Sequence, residues 1–491
     1  MARKFDRPRL AIAGPGAGKT HTMVDEIGKA MSSLLPQQHL AAITFTNAAA
    51  NTIRERLHRR TRVRPNVFIG TTHQFVSRFI LSPCATLFGK LPEDRLYAAI
   101  DFHDKRSGAS IRTRNLINKG VVPFDAMFPV ARDLLKLETV RTRLAQRLSH
   151  LFVDEFQDTN IVMLDIIQQL RKGGTTRIYA VGDPEQFVMG FTYRGTRRPT
   201  FDKLPFFRFQ PQADSTSLID NHRSNAEIVE FANRFRSDLQ QRSLKPRRED
   251  ARVFFIRATD LREIVTIFQA RATDVQIHGS VCTRLYLSEK NATFDPIMEE
   301  FGIRATSNLG RKTPTLLGDA LELIGTALDR TPRKACLEFK LTRLQWRAAG
   351  TAVLRHALRK DFGLQEFVAF IANTFSHEVS KSRLKTLEDG LGQLKTHLAL
   401  GHVDIHPEKC ASIRRAKGLE ADAVLALALG LAELKKWLST DRASRTADKQ
   451  DKCRLGYVAF TRPREMLCIA CLKPLDDEAE SLLQELGVHF V

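Results

Sequence analysis

Residues 9–27 read RLAIAGPGAGKTHTMVDEI. Leu10 to Ala13 form a short apolar run, suited to a strand covered on both faces. Glycines at 14, 16 and 18 clear the chain of side chains, so backbone N–H groups can converge on phosphate oxygens. The pattern after Lys19 predicts a helix whose N-terminal dipole adds positive potential at the same point. In such a strand–loop–helix, Gly14, Gly16, Ala17 and Gly18 cradle phosphates, Lys19 reaches the β- and γ-phosphates and the Thr20 hydroxyl ligates Mg2+. Ala13 stands where the strict pattern has glycine. The stretch points to an α/β fold with its ligand at the carboxyl ends of parallel strands.

A second stretch, LFVDEFQDTN (151–160), answers the first. Leu151, Phe152 and Val153 predict a buried strand that delivers Asp154 and Glu155 to its carboxyl end. Adjacent carboxylates repel, and a phosphate loop upstream implies the cation they meet. Asp154 then holds Mg2+ through its water shell, and Glu155 orients and deprotonates the attacking water. Other apolar runs end in polar groups in the same format. AAITFTNAAANTIRERL (41–57) ends its strand in Thr44, Thr46 and Asn47, and VFIGTTHQF (67–75) in Thr72 and His73. RIYAVGDPEQF (177–187) presents Asp183 and Gln186; STSLIDNHRSNAEIVEFANRF (215–235) presents Arg223; RLGYVAFTRPREMLCIAC (454–471) presents Arg462. In VMGFTYRGT, Phe191 and Tyr193 are candidates for stacking on bases, with core packing the alternative for Phe191.

A chain of 491 residues is too long for one core and implies two to four domains. Its 76 Lys and Arg against 55 Asp and Glu leave a formal charge of +21. The excess is uneven: RERLHRRTRVR (54–64) holds six arginines and one glutamate. A polyanionic partner follows, most simply nucleic acid. No apolar run is long enough to span a bilayer, and the basic start leads into the glycine loop, so no signal peptide is read. Seven cysteines fit a reducing, cytoplasmic setting. Cys468 and Cys471 form a C-x-x-C without a second pair and are expected to be buried strand residues.

Taken in order, GPGAGKT, TFTNAAA, GTTHQF, DEFQDT, GDPEQ, LIDNHRS, SIRRAKGLEADAV and RLGYVAFTRPRE resemble motifs I, Ia, Ib and II to VI of the UvrD/Rep-type superfamily 1 helicases. The resemblance implies two RecA-like P-loop NTPase lobes, each with a mostly helical insertion. Lobe 1A is expected at 1–81 and 146–214, a reduced 1B insertion at 82–145, lobe 2A at 215–303 and 401–491, and a shortened 2B at 304–400. It implies an ATP- and Mg2+-dependent motor moving 3′ to 5′ on single-stranded or partly duplex DNA. Lys19, Thr20, Asp154 and Glu155 would form the ATP–Mg2+ site, with Gln186 sensing the γ-phosphate. Arg223 and Arg462 would be arginine fingers, and Glu420 would contact the nucleotide's sugar or phosphates. Thr46, Asn47, Thr72, His73 and Phe75 would face the DNA strand.

Several features depart from that family's pattern. No glutamine precedes Leu10 to read adenine. Met189 stands where an aromatic is common, two extra residues precede Arg194-Gly195, and Arg414 replaces the usual histidine. Compact size and AKGLEADAV look most like the helicase subunit of Gabija anti-phage systems, which implies an OLD-family TOPRIM nuclease partner of the GajA type. The alternatives are a stand-alone repair helicase and a DNA-sensing ATPase that does not unwind.

Overall fold

The computed structural model describes residues 7–84, 98–100, 117, 121–190, 199–247, 253–275, 282–306, 316–330, 332–359, 361–400 and 407–491. Two compact units divide the chain: Met1–Thr306 with Pro407–Val491, and Ser307–His406.

The first unit holds two large parallel sheets beside two short two-stranded ones. One is six-stranded: β1 (Arg9–Ala13), β2 (His39–Thr44), β3 (Val67–Thr71), β4 (Leu148–Val153), β5 (Arg177–Gly182) and β6 (Asp214–Leu218), in the order β3-β2-β4-β5-β1-β6. Every pairing is parallel, with Leu10 beside Ala180 and Val153 beside Ala180 and Ile43. The inner strands are continuous apolar runs because helices cover both faces. The helix Lys19–Ser32 packs Met23, Val24 and Ile27 on one face with Leu40, Ala42 and Tyr179. On the other face lie Met163, Ile166 and Ile167 of the helix Ile161–Lys172.

Two expected boundaries shift. Ala131, Leu134, Leu135 and Leu144 of the helices Met127–Lys136 and Glu138–Arg147 belong to this same core. The later part of 82–145 is therefore lobe rather than insertion, since its apolar stripes have nowhere else to bury. Residues 215–218 pair with β1 in the first sheet, so the second lobe begins after them.

The second sheet is seven-stranded: β7 (Val253–Ile256), β8 (Arg284–Ser288), β9 (Arg304–Ala305), β10 (Glu408–Ser412), β11 (Ala421–Ala428), β12 (Pro463–Cys471) and β13 (His489–Phe490), in the order β9-β10-β8-β11-β12-β7-β13. All of these strands run parallel. Cys468 and Cys471 are buried in β12, with burial raising both thiols. Each sheet with its helices is one RecA-like lobe.

The second unit, taken by itself, is helical. Leu316–Leu328, Arg343–Ala357, Leu364–Phe375 and Leu384–Leu400 enclose Leu323, Ile324, Trp346, Val353, Phe367 and Leu387. No helix among the described residues is long and apolar enough to cross a membrane.

The helix Lys452–Phe460 approaches Leu431–Leu438 most closely at Gly456, where an added Cβ would lie 2.7 Å from the Trp437 Cα. Gly456→Ala is therefore expected to destabilise the first unit by about 1–3 kcal/mol through overpacking. Gly28→Ala, in a helix with nothing within 4 Å of its new methyl, should be neutral or stabilise by up to about 1 kcal/mol. Urea unfolding of both variants reads the difference; an unchanged midpoint for Gly456→Ala would refute the close approach.

Candidate functional site

β1 runs into the glycine loop, and Gly16 and Gly18 take φ of 71° and 73°, a left-handed region that glycine occupies without strain. Packing demands glycine as well. A Cβ on Gly14 would lie 2.3 Å from the Gln241 carboxamide, and one on Gly16 would lie 2.6 Å from Asn221 Oδ1. Asn221 Nδ2 donates to Pro15 O at 2.9 Å, and His222 N donates to Gly16 O at 3.0 Å. Lys19 and Thr20 open the following helix, and Lys19 Nζ donates to Ala13 O (3.3 Å) and Gly14 O (3.2 Å). Burial lowers the Lys19 ammonium, while Glu155 and Asp183 act in the opposite sense.

Asp154 and Glu155 follow β4. The Asp154 N–H continues the sheet by donating to Ile43 O at 2.9 Å. Glu155 has φ 49° and ψ 46°, a left-handed conformation that costs a non-glycine residue about 1–3 kcal/mol. That turn aims the carboxylate away from the strand axis, where Gln157 Nε2 donates to Glu155 Oε2 at 2.6 Å. The same Gln157 accepts Asp183 N at 2.9 Å, so one fully buried carboxamide ties the ends of β4 and β5 together. Burial, with Glu155 beside it, pushes Asp154 up to about 7. Burial works in the same direction on Glu155, but Lys417 and Lys19 overcome it and hold that carboxylate low.

The second lobe supplies cations. Arg462, 1% exposed, donates from Nη2 to Gln186 Oε1 at 3.2 Å, while Gln186 Nε2 donates to Asp183 Oδ2 at 2.7 Å. Burial, then Arg223, bring the Arg462 guanidinium down to about 9, still charged at neutral pH. Arg223 donates from Nε to Glu420 Oε2 at 2.7 Å, and Glu420 also accepts from Arg464 at 2.7 Å. Burial opposes ionisation of Glu420, but Arg223 and Arg464 bring it down to about 2. In this arrangement Glu420 is the counter-ion of Arg223. Lys417 is a further cation that motif reasoning left unassigned: it pairs with Asp158 and lies 3.7 Å from Glu155 Oε2. Its only sequence signal is its place beside Gly418-Leu419-Glu420.

The residues expected to face a strand divide. Thr46 caps the helix Asn47–His58 by accepting Ala49 N, and Asn47 Oδ1 accepts Gln74 Nε2 at 3.4 Å. Thr72 is buried in the helix Thr72–Val76, which Thr71 caps. Phe75 is a correction: it is fully buried, packed on Phe79 with ring centroids 5.2 Å apart, so its ring belongs to the core. His73 points elsewhere and stacks on the partly exposed Phe124, centroids 3.9 Å apart and planes 12° apart. Burial lowers His73 to about 4, leaving it a neutral ring at pH 7. Phe124, Met127, Phe68 and Arg78 line the adjoining cavity of about 390 Å3. Nothing in the sequence distinguished Phe124 from other phenylalanines. Phe191 and Tyr193 lie outside the described residues.

The charges themselves test what fits here. Lys19, Arg223, Arg462 and Lys417 gather about the loop and need a polyanion. Asp154, raised first by burial and then by Glu155 beside it, is a site that a cation fits. A nucleoside triphosphate with Mg2+ meets both demands, the loop amides and Lys19 taking phosphates, Thr20 and Asp154 the metal.

A family model described as an AAA domain matches residues 5–192. The Gabija protein GajB of Bacillus cereus is 28% identical over 236 residues, covering 47% of this chain and 46% of that protein. The ATP-dependent DNA helicase PcrA of Leuconostoc citreum is 26% identical over 46% of this chain and 36% of its own length. DNA helicase II of Escherichia coli is 25% identical, over 46% and 37%. Over those stretches the chain is similar to UvrD/Rep-type helicases of superfamily 1. Its matches span less than half the length of each of these relatives. As in that superfamily's motif order, the phosphate loop, the VDE pair and GDPEQ all converge on one sheet edge.

Because burial and Glu155 raise Asp154 from its ordinary value of 3.8 to about 7, its ionisation destabilises the fold progressively as pH rises between those two values and by a constant amount above them. Asp154→Asn should therefore raise the melting temperature of nucleotide-free protein at pH 8, with the gain fading only toward about pH 4.5. Thermal scans at the two pH values check this; an Asn variant less stable at pH 8 would refute it.

Proposed function

We propose that this protein is an ATP hydrolase and DNA translocase: a UvrD/Rep-like motor whose turnover is stimulated by single-stranded or partly duplex DNA and which moves 3′ to 5′. The observation that carries this reading is the Arg462–Gln186 contact, in which a fully buried arginine of the second lobe meets the polar end of a first-lobe strand beside Glu155. A catalytic constellation that needs both lobes assembles only when they close, which is how chemistry can be joined to motion.

Bound Mg2+ would draw charge from the phosphates and so ease departure of the leaving group. Thr20 and Asp154 would hold it. Glu155 is ionised at pH 7 and free of its proton, so it serves as acceptor for the attacking water. Gln186, oriented by Asp183, positions that water, and Arg462 places positive charge where the transferring oxygens gain negative charge. Arg223 is brought to the same place by exchanging Glu420 for phosphate, and Glu420 is then released toward the sugar.

The strand itself would lie over the carboxyl edge of the first sheet, at Thr46, Asn47, His73 and the exposed Phe124. His73 and Phe124 offer a flat, uncharged stack to bases, while the arginine-rich 54–64 segment attracts the backbone. Similarity to GajB supports a Gabija-type role with an OLD-family TOPRIM nuclease as partner. Similarity to PcrA and DNA helicase II supports the alternative of stand-alone unwinding. Co-purification with such a nuclease from cells expressing both would decide for the first.

ATP turnover with and without an oligo-deoxythymidine tests the core of the proposal. DNA should stimulate the wild type severalfold, and Glu155→Gln should abolish turnover while nucleotide still binds. Arg462→Ala should lower kcat by roughly a thousandfold with little change in nucleotide affinity; near-normal turnover in either variant would overturn the assignment.

Phe124→Ala should weaken single-strand binding by about 1–3 kcal/mol without changing DNA-free hydrolysis, as read by fluorescence anisotropy beside turnover. Unchanged DNA affinity would remove the His73–Phe124 stack from the strand path.

A further inference from the structure

Two carboxamides of the second lobe rest on the glycine loop, and their surroundings differ. Asn221 closes the two-residue strand Asp220–Asn221, and Gln241 precedes its parallel partner Arg242–Ser243. Arg242 N donates to Ile219 O and Leu244 N to Asn221 O, both at 2.9 Å, so this ribbon fixes the two residues relative to each other. Asn221 is satisfied within the protein. Its Nδ2 donates to Pro15 O, and its Oδ1 accepts the N–H groups of Arg223 at 2.9 Å and Ser224 at 3.0 Å. It locks the ribbon to the loop.

Gln241 is held as firmly by its backbone. The carboxamide of Asn233, at the end of the helix Ala226–Asn233, accepts Gln241 N at 3.0 Å and donates to Gln241 O at 2.8 Å. The residue is 8% exposed, and its side chain presses on Gly14, where an added Cβ would lie 2.3 Å from Cδ and 2.7 Å from Nε2. Yet Nε2 is buried with no hydrogen-bond partner among the described residues. A buried donor without an acceptor is a standing cost to the fold. The loop beneath it has its carbonyls engaged. Lys19 Nζ takes Ala13 O and Gly14 O, Ala17 N also takes Gly14 O, Asn221 takes Pro15 O, and His222 N takes Gly16 O. The acceptor for Gln241 therefore comes from outside the loop, and the cations gathered there favour an anionic oxygen.

We propose that Gln241 is a phosphate-binding residue, its Nε2 donating to a phosphate oxygen of the triphosphate held by the glycine loop. The inference rests on the proposed function, because it takes a nucleoside triphosphate as the loop's ligand, and it adds a neutral donor that the stretch DLQQRSL (238–244) does not announce. A carboxamide suits the position: it carries no charge to repel Lys19 or Arg223, and its N–H hydrogens are directed. The ribbon and Asn233 hold it in place before the ligand arrives, so little freedom is lost on binding.

The test is binding of a fluorescent nonhydrolysable ATP analogue with Mg2+ to the full chain, beside the melting temperature without nucleotide. Gln241→Leu removes the stranded donor and keeps an apolar side chain against Gly14. It should weaken the analogue by roughly tenfold to a hundredfold, as for a hydrogen bond to a charged group. The melting temperature should stay at or above wild type, because an unpaired buried group has gone. Gln241→Glu sets a carboxylate against phosphate and should weaken the analogue further than Gln241→Leu does. Wild-type affinity in Gln241→Leu overturns the inference. Loss of affinity together with a lower melting temperature in that variant also overturns it, since the side chain would then merely prop the loop. So does a Gln241→Glu variant that binds as tightly as Gln241→Leu, which would turn the amide away from phosphate. A wild type that binds no analogue sinks the proposed function, and the inference with it.

Discussion

A guanidinium removed from water is the constraint on which the rest of the molecule turns. Arg462 is buried, charged at neutral pH, and bonded to the second lobe at Val458 O and to the first at Gln186. Taking such an ion out of water costs several kcal/mol unless nearby acceptors replace its hydration. Those acceptors come mainly from its own lobe, at Val458 O, Leu419 O and Thr461 Oγ1, with Gln186 the contact from the first lobe among the described residues. Lys417 repeats the arrangement with Asp158 and Glu155. Arg236 does so with Asp183 at 3.4 Å, both side chains fully buried. On the proposed function, opening the site would free Arg462 from Gln186 and Lys417 from Asp158 and Glu155, and a triphosphate would supply oxygens in their place, while Arg236 would keep Asp238.

Strand order sets the distances at which this works. β5 lies between the glycine-loop strand β1 and the carboxylate strand β4. The gap of one strand leaves room for phosphates and metal between Lys19 and Asp154, and it puts Gln186, which follows β5, at the middle of the opening. Gln157 joins the ends of the neighbouring strands β4 and β5, donating to Glu155 and accepting from Asp183. A carboxamide serves there because both neighbours are needed: the Nε2 hydrogens meet a carboxylate and Oε1 meets an N–H. The same stretch that carries Glu155 thus carries the residue that holds it.

How much of this was legible in the sequence depends on whether the signal was local. Glycines before Lys-Thr, and carboxylates after an apolar run, are local chemistry, and both were found at the sheet edge. The two-lobe fold followed from the order of such blocks. Phe75 failed because its helix has only a few residues: Thr71 caps it, and the turn that exposes His73 drives Phe75 inward, a rotation that motif order does not encode. The boundary at 214 failed because Asp214–Leu218 is a polar edge strand, DSTSL, with no apolar run to announce its pairing with β1. The pairing of Arg223 with Glu420 joins residues far apart in the chain, and each was assigned to an absent nucleotide when each was also the other's partner.

The contrast between the lobes' interiors and their meeting face explains why the pairings were hidden. Apolar clusters stay almost wholly within one lobe: Leu10, Ile43, Phe156 and Ile166 with each other, Val424, Leu455, Tyr457 and Ile469 with each other. Val188 is the first-lobe residue that crosses into the second cluster. What holds the meeting face is charge and directed hydrogen bonding, which water or phosphate can replace at modest net cost. An apolar seam would have been legible as hydrophobic pattern but would resist opening, because each separated Å2 costs about 25 cal/mol with nothing to take its place. On the proposed function, a motor that opened at every cycle would be better served by a seam of ions whose alternative partner is the triphosphate.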